Sequence, residues 1–236
     1  MNMLNQSNIH LWYTKFDDHI KKYQLFQSWL SPDEKKRAKQ LALPYRQNFV
    51  ISRGILRDLL AYYLKQHPEQ LKLSYTVSGK PSLDKKSKIL IEFNLSHSKN
   101  ILIYAFTVGT PLGIDVEYIN SRTHLNKIAY RFLPAHEYDQ LDLLQGDNKL
   151  QAFFRAWVRN EALIKAKGDI LQTHPSSRYK LSLENKLSTS RSEKTDIISV
   201  YAISNLFLYP DFAIAVAVKG NAKSIVTKKY TKCCQN

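Results

Sequence analysis

A glutamate placed inside the apolar stripe of a helix restricts a fold sharply, because something of opposite charge must be brought to meet it. Residues 157–165 read Trp157-Val-Arg-Asn-Glu161-Ala-Leu-Ile-Lys165. At about 100° per residue on a helix, Trp157, Glu161 and Lys165 stack one turn apart along one side. Phe153, Phe154, Trp157 and Ile164 define the apolar stripe, and Glu161 falls within it. A carboxylate on a buried face costs several kcal/mol unless a cation or donor neutralises it. Two neutralisers offer themselves: Lys165, or a metal ion.

A second pair of carboxylates favours the metal. In Pro111-Leu-Gly-Ile-Asp115-Val-Glu117-Tyr118, Leu112, Ile114, Val116 and Tyr118 alternate with Gly113, Asp115 and Glu117. On a strand this sets both carboxylates on one face, about 6–7 Å apart, within reach of one hard cation. Gly113 is expected to clear space beside them for a ligand. An Asp-x-Glu strand alone is usually a solvated face. With a third carboxylate on a buried helix face, an oxygen-rich Mg²⁺ site is the better reading.

The chain has 236 residues, 44% of them hydrophobic, enough for a sizeable core. Its formal charge of +15 points to anionic partners: nucleic acid, phosphorylated small molecules, an acidic protein or a membrane surface. The N-terminus lacks the pattern of a signal peptide, and no apolar run approaches the ~20 residues of a membrane span. The two cysteines, Cys233 and Cys234, are adjacent and badly placed for a structural disulfide. A reducing, cytoplasmic setting is expected.

Residues 9–16 suggest an opening strand. Ser31-Pro32-Asp33-Glu34 is a helix start, with Ser at the N-cap and Glu at N3. A long helix is expected from Arg46 to Lys65, strands from Ile89 to Leu95 and Ile101 to Phe106, a helical region from Leu125 to Leu144, and a helix through Trp157 ending at Gly168. Val200 to Ile203 and Phe212 to Val218 read as further strands, and Glu184 to Lys194 as a polar loop. Helices and hairpin-like strands alternate irregularly, which predicts an α+β fold, not a doubly wound sheet. A basic set precedes the acidic one: Lys80 on a Gly-Lys-Pro turn, Ser96, His97 and Ser98 at a strand end able to hold phosphate, and Arg53 and Arg57 on one helix face, with Arg53 nearer the apolar side. Ser96 and His97 are neighbours without a nucleophile elbow, which argues against a hydrolase triad.

In this order the motifs resemble those of the 4′-phosphopantetheinyl transferase superfamily in its long, Sfp-type form. The matching stretches are Leu30-Ser-Pro-Asp-Glu-Lys-Lys-Arg-Ala38, Ser52-Arg-Gly-Ile-Leu-Arg57, Gly79-Lys-Pro81, Phe93-Asn-Leu-Ser-His-Ser98, Gly113-Ile-Asp-Val-Glu117, Arg131-Phe-Leu-Pro-Ala-His-Glu-Tyr138 and Trp157-x-x-x-Glu-Ala-x-x-Lys165. The resemblance implies a Mg²⁺-dependent enzyme of the holo-[acyl-carrier-protein] synthase kind. It would move phosphopantetheine from coenzyme A to a serine hydroxyl of an apo acyl or peptidyl carrier protein, releasing 3′,5′-ADP.

By position, Asp115, Glu117 and Glu161 resemble the Mg²⁺ ligands. Arg53, Lys80 and His97 resemble contacts to the coenzyme A phosphates, chiefly the 3′-phosphate. Ser96 would lie beside the nucleotide, Lys165 would neutralise the pyrophosphate, and Glu161 would also deprotonate the serine. The implied fold is two similar α+β subdomains related by a pseudo-twofold axis, with the active site in the cleft between them. Residues 1–110 would carry the coenzyme A phosphate contacts and residues 111–236 the Mg²⁺-binding carboxylates. A monomer docking an acidic carrier protein, with no membrane or nucleic-acid partner, is expected. One position departs from the family pattern: Asn160 stands where a lysine usually precedes the helical glutamate, and Arg159 lies about 100° round the helix from it.

Two rivals remain on the residues alone. The carboxylates with Lys165 could form a metal-dependent nuclease, although common nuclease cores set Glu and Lys two apart on a strand. A non-catalytic nucleic-acid-binding protein would leave Glu161 unexplained.

Overall fold

The computed structural model describes residues 3–76, 79–83, 90–121, 125–133, 135–168 and 201–231. The polar loop expected over 184–194 and the cysteines Cys233 and Cys234 lie outside the described residues, as do Ile89 and Val200, where two strands were expected to begin.

The first half runs β1 (Asn8–Lys15), α1 (Tyr23–Trp29), α2 (Pro32–Gln40), α3 (Tyr45–Leu64), β2 (Leu73–Tyr75), β3 (Pro81–Leu83), β4 (Ile91–Ser98) and β5 (Ile101–Val108). The second runs β6 (Leu112–Tyr118), α4 (Leu125–Phe132), α5 (Ala135–Asp142), α6 (Gly146–Lys167), β7 (Tyr201–Leu206), β8 (Phe212–Lys219) and β9 (Ser224–Lys229). The local signals explain several boundaries. Ser31 and Glu34 close a reciprocal capping box at the start of α2. Gly168, at φ 77°, ends α6 in the left-handed conformation that glycine accepts without strain. The helical region expected from 125 to 144 is two helices, and in the sequence a proline follows Leu133, where helical hydrogen bonding cannot continue.

Two sheets form the middle of the molecule. One has the order β4-β5-β1-β9, the other β6-β8-β7. Each half repeats one arrangement: a strand, a long helix, then two strands that return as a hairpin, with the last strand central. β4 and β5 pair antiparallel (His97 opposite Leu102), β5 and β1 antiparallel (Phe106 opposite His10), and β6 and β8 antiparallel (Asp115 opposite Ala215).

Period-two alternation sorts the strands into layers. Leu102, Tyr104 and Phe106 of β5 face α3 and pack with Ile51, Ile55 and Leu59. Ile101, Ile103 and Ala105 face the other sheet, meeting Ile114, Val116, Ile214 and Val216. On β8, Ala213, Ala215 and Ala217 lie under α6 with Ala162, Leu163 and Ala166, and the alanines let helix and sheet approach closely. The order is therefore helix, sheet, sheet, helix. Each large apolar side chain removed from water in these layers contributes roughly 1.5–3 kcal/mol.

Residue 110 falls between β5 and β6. The last strand was not anticipated: β9 lies parallel to β1, with Ile225 opposite Ile9, so residues 224–229 join the sheet of the first half. Tyr230 then buries its ring and donates its hydroxyl to Asp58 of α3 at 2.8 Å.

Candidate active site at the seam between the sheets

β4 and β6 belong to different sheets but run side by side, so side chains do the work of a backbone ladder. The Ile114 N–H donates to Asn94 Oδ1 at 2.9 Å, and the Tyr118 N–H donates to Ser98 Oγ at 3.0 Å. Between these rungs Ser96 Oγ donates to Asp115 Oδ1 at 2.8 Å, and Ser98 Oγ donates to Glu117 Oε2 at 3.0 Å. As the alternation predicted, Gly113, Asp115 and Glu117 share the face of β6 that lies under α6.

Gly113 has another purpose than the one expected of it. A Cβ there would stand 2.1 Å from the Ala162 carbonyl oxygen and 2.5 Å from the Ala166 nitrogen. The space is filled by the α6 backbone, not reserved for a ligand. That close approach brings Glu161 and Lys165 down beside the β6 carboxylates.

Lys165 does not meet Glu161. Its Nζ reaches across to Asp115 Oδ1 at 2.6 Å and also donates to Ser96 Oγ at 3.1 Å and the Ile114 carbonyl at 3.3 Å. Glu161 is buried, and its Oε1 has no hydrogen-bond partner. Burial, with the negative charges of Asp115 and Glu117, raises its pKa to about 7 against the pull of Lys165. Burial and Asp115 also raise Glu117, opposed by the Ser98 hydrogen bond and Lys165. The three carboxylates thus sense one another and lack sufficient positive charge.

That deficit suits a cation. Among the described residues no three His, Cys, Asp or Glu side chains are gathered into a ready-made metal cage. Yet the donors are hard oxygens only, as Mg²⁺ prefers, and Asp115 Oδ2 joins Glu161 Oε1 as a buried oxygen without a partner. Asp115, Glu117 and Glu161 are the residues able to hold such an ion.

The basic residues come to the same seam from the other side. Lys80, on its Gly-Lys-Pro turn, is half-buried, and its Nζ donates to the Lys165 carbonyl at the end of α6 at 2.6 Å. Burial lowers its pKa, and the nearby Lys165 charge adds to this, while Glu92 opposes it. His97 packs edge-on against Phe16. Its surface is exposed, yet the protein around the ring, Lys165 and Arg53 all disfavour the imidazolium, with Asp115 opposing. Ser98 and His97 lie within β4, and the turn follows at Lys99 and Asn100.

Arg53 is buried between the rings of Phe49 and Tyr75, 5.5 and 5.3 Å from their centroids. Its Nε and Nη1 have no hydrogen-bond partner, and burial lowers its pKa. A buried guanidinium with free donors is a receptor for an anion. Arg57 is more deeply buried than Arg53, the reverse of the expected order. It pairs with Glu34 at 2.7 Å and donates to the carbonyls of Pro68 and Leu71, so it ties α2 and α3 together. Sequence reasoning passed over Arg37, whose guanidinium lies over Phe49 and against Gly79, next to Lys80. Its place in the Ser31–Ala38 motif was the available signal. Arg159 does not replace the lysine absent at position 160. It is buried and interacts with Glu137 of α5.

Arg53, Lys80, Ser96 and His97 from the first half and Asp115, Glu117, Glu161 and Lys165 from the second therefore converge at one seam. Residues 111–217 match the model of the 4′-phosphopantetheinyl transferase superfamily, and residues 15–108 match the N-terminal model of 4′-phosphopantetheinyl transferase. The chain is 36% identical over 221 residues to the 4′-phosphopantetheinyl transferase HetI of Nostoc sp., covering 92% of this chain and 90% of that one. It is 33% identical over 144 residues to a putative 4′-phosphopantetheinyl transferase of Synechocystis sp., 61% of this chain and 58% of the other. It is 30% identical over 112 residues to the 4′-phosphopantetheinyl transferase AcpT of Escherichia coli, 48% and 55% of the two chains. The nuclease alternative finds no support in these matches. Among the described residues no helix is long and apolar enough to cross a membrane.

Proposed function

Because the chain belongs to the 4′-phosphopantetheinyl transferase superfamily, we propose that the seam between β4, β6 and α6 is where it transfers phosphopantetheine from coenzyme A to a carrier-protein serine. The carrying observation is Glu161: a buried carboxylate with an unpartnered oxygen, in the combined field of Asp115, Glu117 and Lys165.

In the reaction the serine Oγ forms a bond to the phosphorus that bears pantetheine. The bond from that phosphorus to the bridging oxygen breaks, and 3′,5′-ADP leaves with the electron pair. Mg²⁺ held by Asp115, Glu117 and Glu161 would neutralise charge building on the pyrophosphate oxygens. Glu161, whose buried Oε1 has no partner, would also accept the serine proton. Lys165 balances Asp115 in the free protein and lies where it can turn to the pyrophosphate. Arg53, Lys80 and His97, with Arg37, hold the 3′-phosphate, and Ser96 lies beside the nucleotide. Residues 1–110 supply these phosphate contacts and residues 111–236 the acidic ligands. The charge of +15 suits docking of a carrier protein that is acidic around its serine. The protein acts as a monomer, in the manner of a holo-[acyl-carrier-protein] synthase.

The test is incubation with an apo carrier protein, coenzyme A and Mg²⁺, read by intact mass. The carrier should gain one phosphopantetheine, and EDTA should prevent it. An equal gain in EDTA would refute the metal-dependent reading, and no gain on any carrier type would refute the activity.

A further inference from the structure

Glu117 is the outermost of the three carboxylates, and the structure gives it a dedicated partner from the opposite half. Ser98 Oγ accepts from the Tyr118 N–H at 3.0 Å and sits 3.0 Å from Glu117 Oε2. A hydroxyl has one proton, and the Tyr118 N–H occupies one of its lone pairs, so its own hydrogen is directed to the carboxylate. Ser96 has the same construction one rung away. It accepts from Lys165 Nζ and donates to Asp115 Oδ1. Each β6 carboxylate thus has one oxygen fixed by a serine of β4. Ser96 stands beside Lys165, and its role merges with the charged pair. Ser98 does not, and besides accepting the Tyr118 N–H its hydroxyl has Glu117 as its partner.

We propose that Ser98 is a positioning residue: it clamps Glu117 Oε2 from across the seam, so that β4 sets the orientation of a ligand carried by β6. The inference rests on the reading of Asp115, Glu117 and Glu161 as cation ligands. Fixing one oxygen of a carboxylate removes rotation that would otherwise be lost on binding, which is how partners behind metal ligands typically contribute about 10- to 100-fold in affinity. Because Ser98 and Glu117 lie on different halves, any relative movement of the two sheets also moves this ligand.

The experiment titrates Mn²⁺, an electron-paramagnetic stand-in for Mg²⁺, into the full chain in the presence of coenzyme A and reads free Mn²⁺ by EPR. Ser98→Ala should weaken Mn²⁺ binding by about 10- to 100-fold and raise the Mg²⁺ concentration needed for half-maximal turnover by a similar factor. Ser98→Thr, which keeps the hydroxyl, should restore both to near wild type, and the KM for coenzyme A at saturating Mg²⁺ should move little in either variant. Glu117→Gln is the control. Wild-type Mn²⁺ affinity in Ser98→Ala, with weak binding in Glu117→Gln, overturns the positioning role alone. Equal losses in Ser98→Ala and Ser98→Thr, accompanied by a lower Tm, also overturn it, since the hydroxyl would then be only a cap for the Tyr118 N–H. Unchanged binding in Glu117→Gln overturns the ligand reading on which the inference stands.

Discussion

Replacing Gly113 by alanine tests how the site is assembled, because one methyl group should separate the two elements that carry the acidic residues. The added Cβ would lie 2.1 Å from the Ala162 carbonyl oxygen, 2.5 Å from the Ala166 nitrogen and 2.8 Å from Lys165 Cβ. Ordinary contacts begin at about 3.5 Å, so α6 must retreat by roughly 1 Å. Two of the three opposing atoms are backbone and cannot turn aside. Overpacking of this kind costs about 1–3 kcal/mol, and the rigid neighbours place it near the upper end. In a chain of this size 1 kcal/mol corresponds to about 2–4 °C of Tm, so a fall of roughly 6–12 °C is expected by thermal unfolding monitored by circular dichroism. The folded fraction should also be a poor enzyme, since a displacement of about 1 Å at reacting groups costs on the order of 100-fold in rate. A Gly113→Ala protein with wild-type Tm and kcat would show that α6 does not rest on β6 as described, and the site built from their contact would fall with it.

Arg53→Ala should raise the KM for coenzyme A by roughly tenfold or more, about 1.4 kcal/mol, and much less for dephospho-coenzyme A. An equal effect on both would remove the 3′-phosphate from Arg53. Arg57→Ala should instead lower stability by about 3–5 kcal/mol, since the buried Glu34 loses its counter-ion. Unchanged denaturant unfolding would contradict its structural role. Stability of the metal-free protein also carries a pH signature. Glu161 has a native pKa of about 7 against 4.5 for the ordinary group, so the native state holds a proton that the unfolded state has lost. That contribution weakens the fold as pH rises from about 4.5 to 7 and is constant above. Glu137 acts in the same direction, while His10 and His19, lowered to about 4 by burial, act in the opposite one over part of the window. The wild-type minus Glu161→Gln difference in ΔG isolates the one group, and it should become more negative across this window. A difference independent of pH would contradict the burial of Glu161 as a charge.

What the sequence makes legible is what depends on near neighbours. The β6 alternation, the Ser31 capping box and the Gly168 terminus each rest on residues within a few positions, and each stands in the structure. The inward-facing Glu161 was legible for the same reason, since helical phase is local. The partner of a charge is not. Lys165 is one turn from Glu161 but bonds Asp115, 50 residues away, because the sheet seam offers Ser96 and the Ile114 carbonyl to the same ammonium. Arg53 and Arg57 look alike on a helix, and only Glu34 on one side and Phe49 with Tyr75 on the other separate a structural cation from one with free donors. Gly113 was assigned to a ligand because a missing side chain does not say what fills its place. β9 was overlooked because its two apolar residues, Ile225 and Val226, are adjacent and followed by Thr227 and two lysines, which gives no strand alternation, and its pairing with β1 spans nearly the whole chain.

The claim that Glu161 works as a ligand and base, not as a structural charge, is tested most directly by Glu161→Gln, with single-turnover transfer and thermal unfolding measured on the same preparation. Glutamine keeps the volume but removes a buried charge whose Oε1 has no partner and whose neighbours are acidic. The account predicts a kcat lower by about 100-fold or more, retained coenzyme A affinity, and a Tm at pH 8 equal to or above wild type. A variant with lowered Tm and near-normal kcat would contradict it.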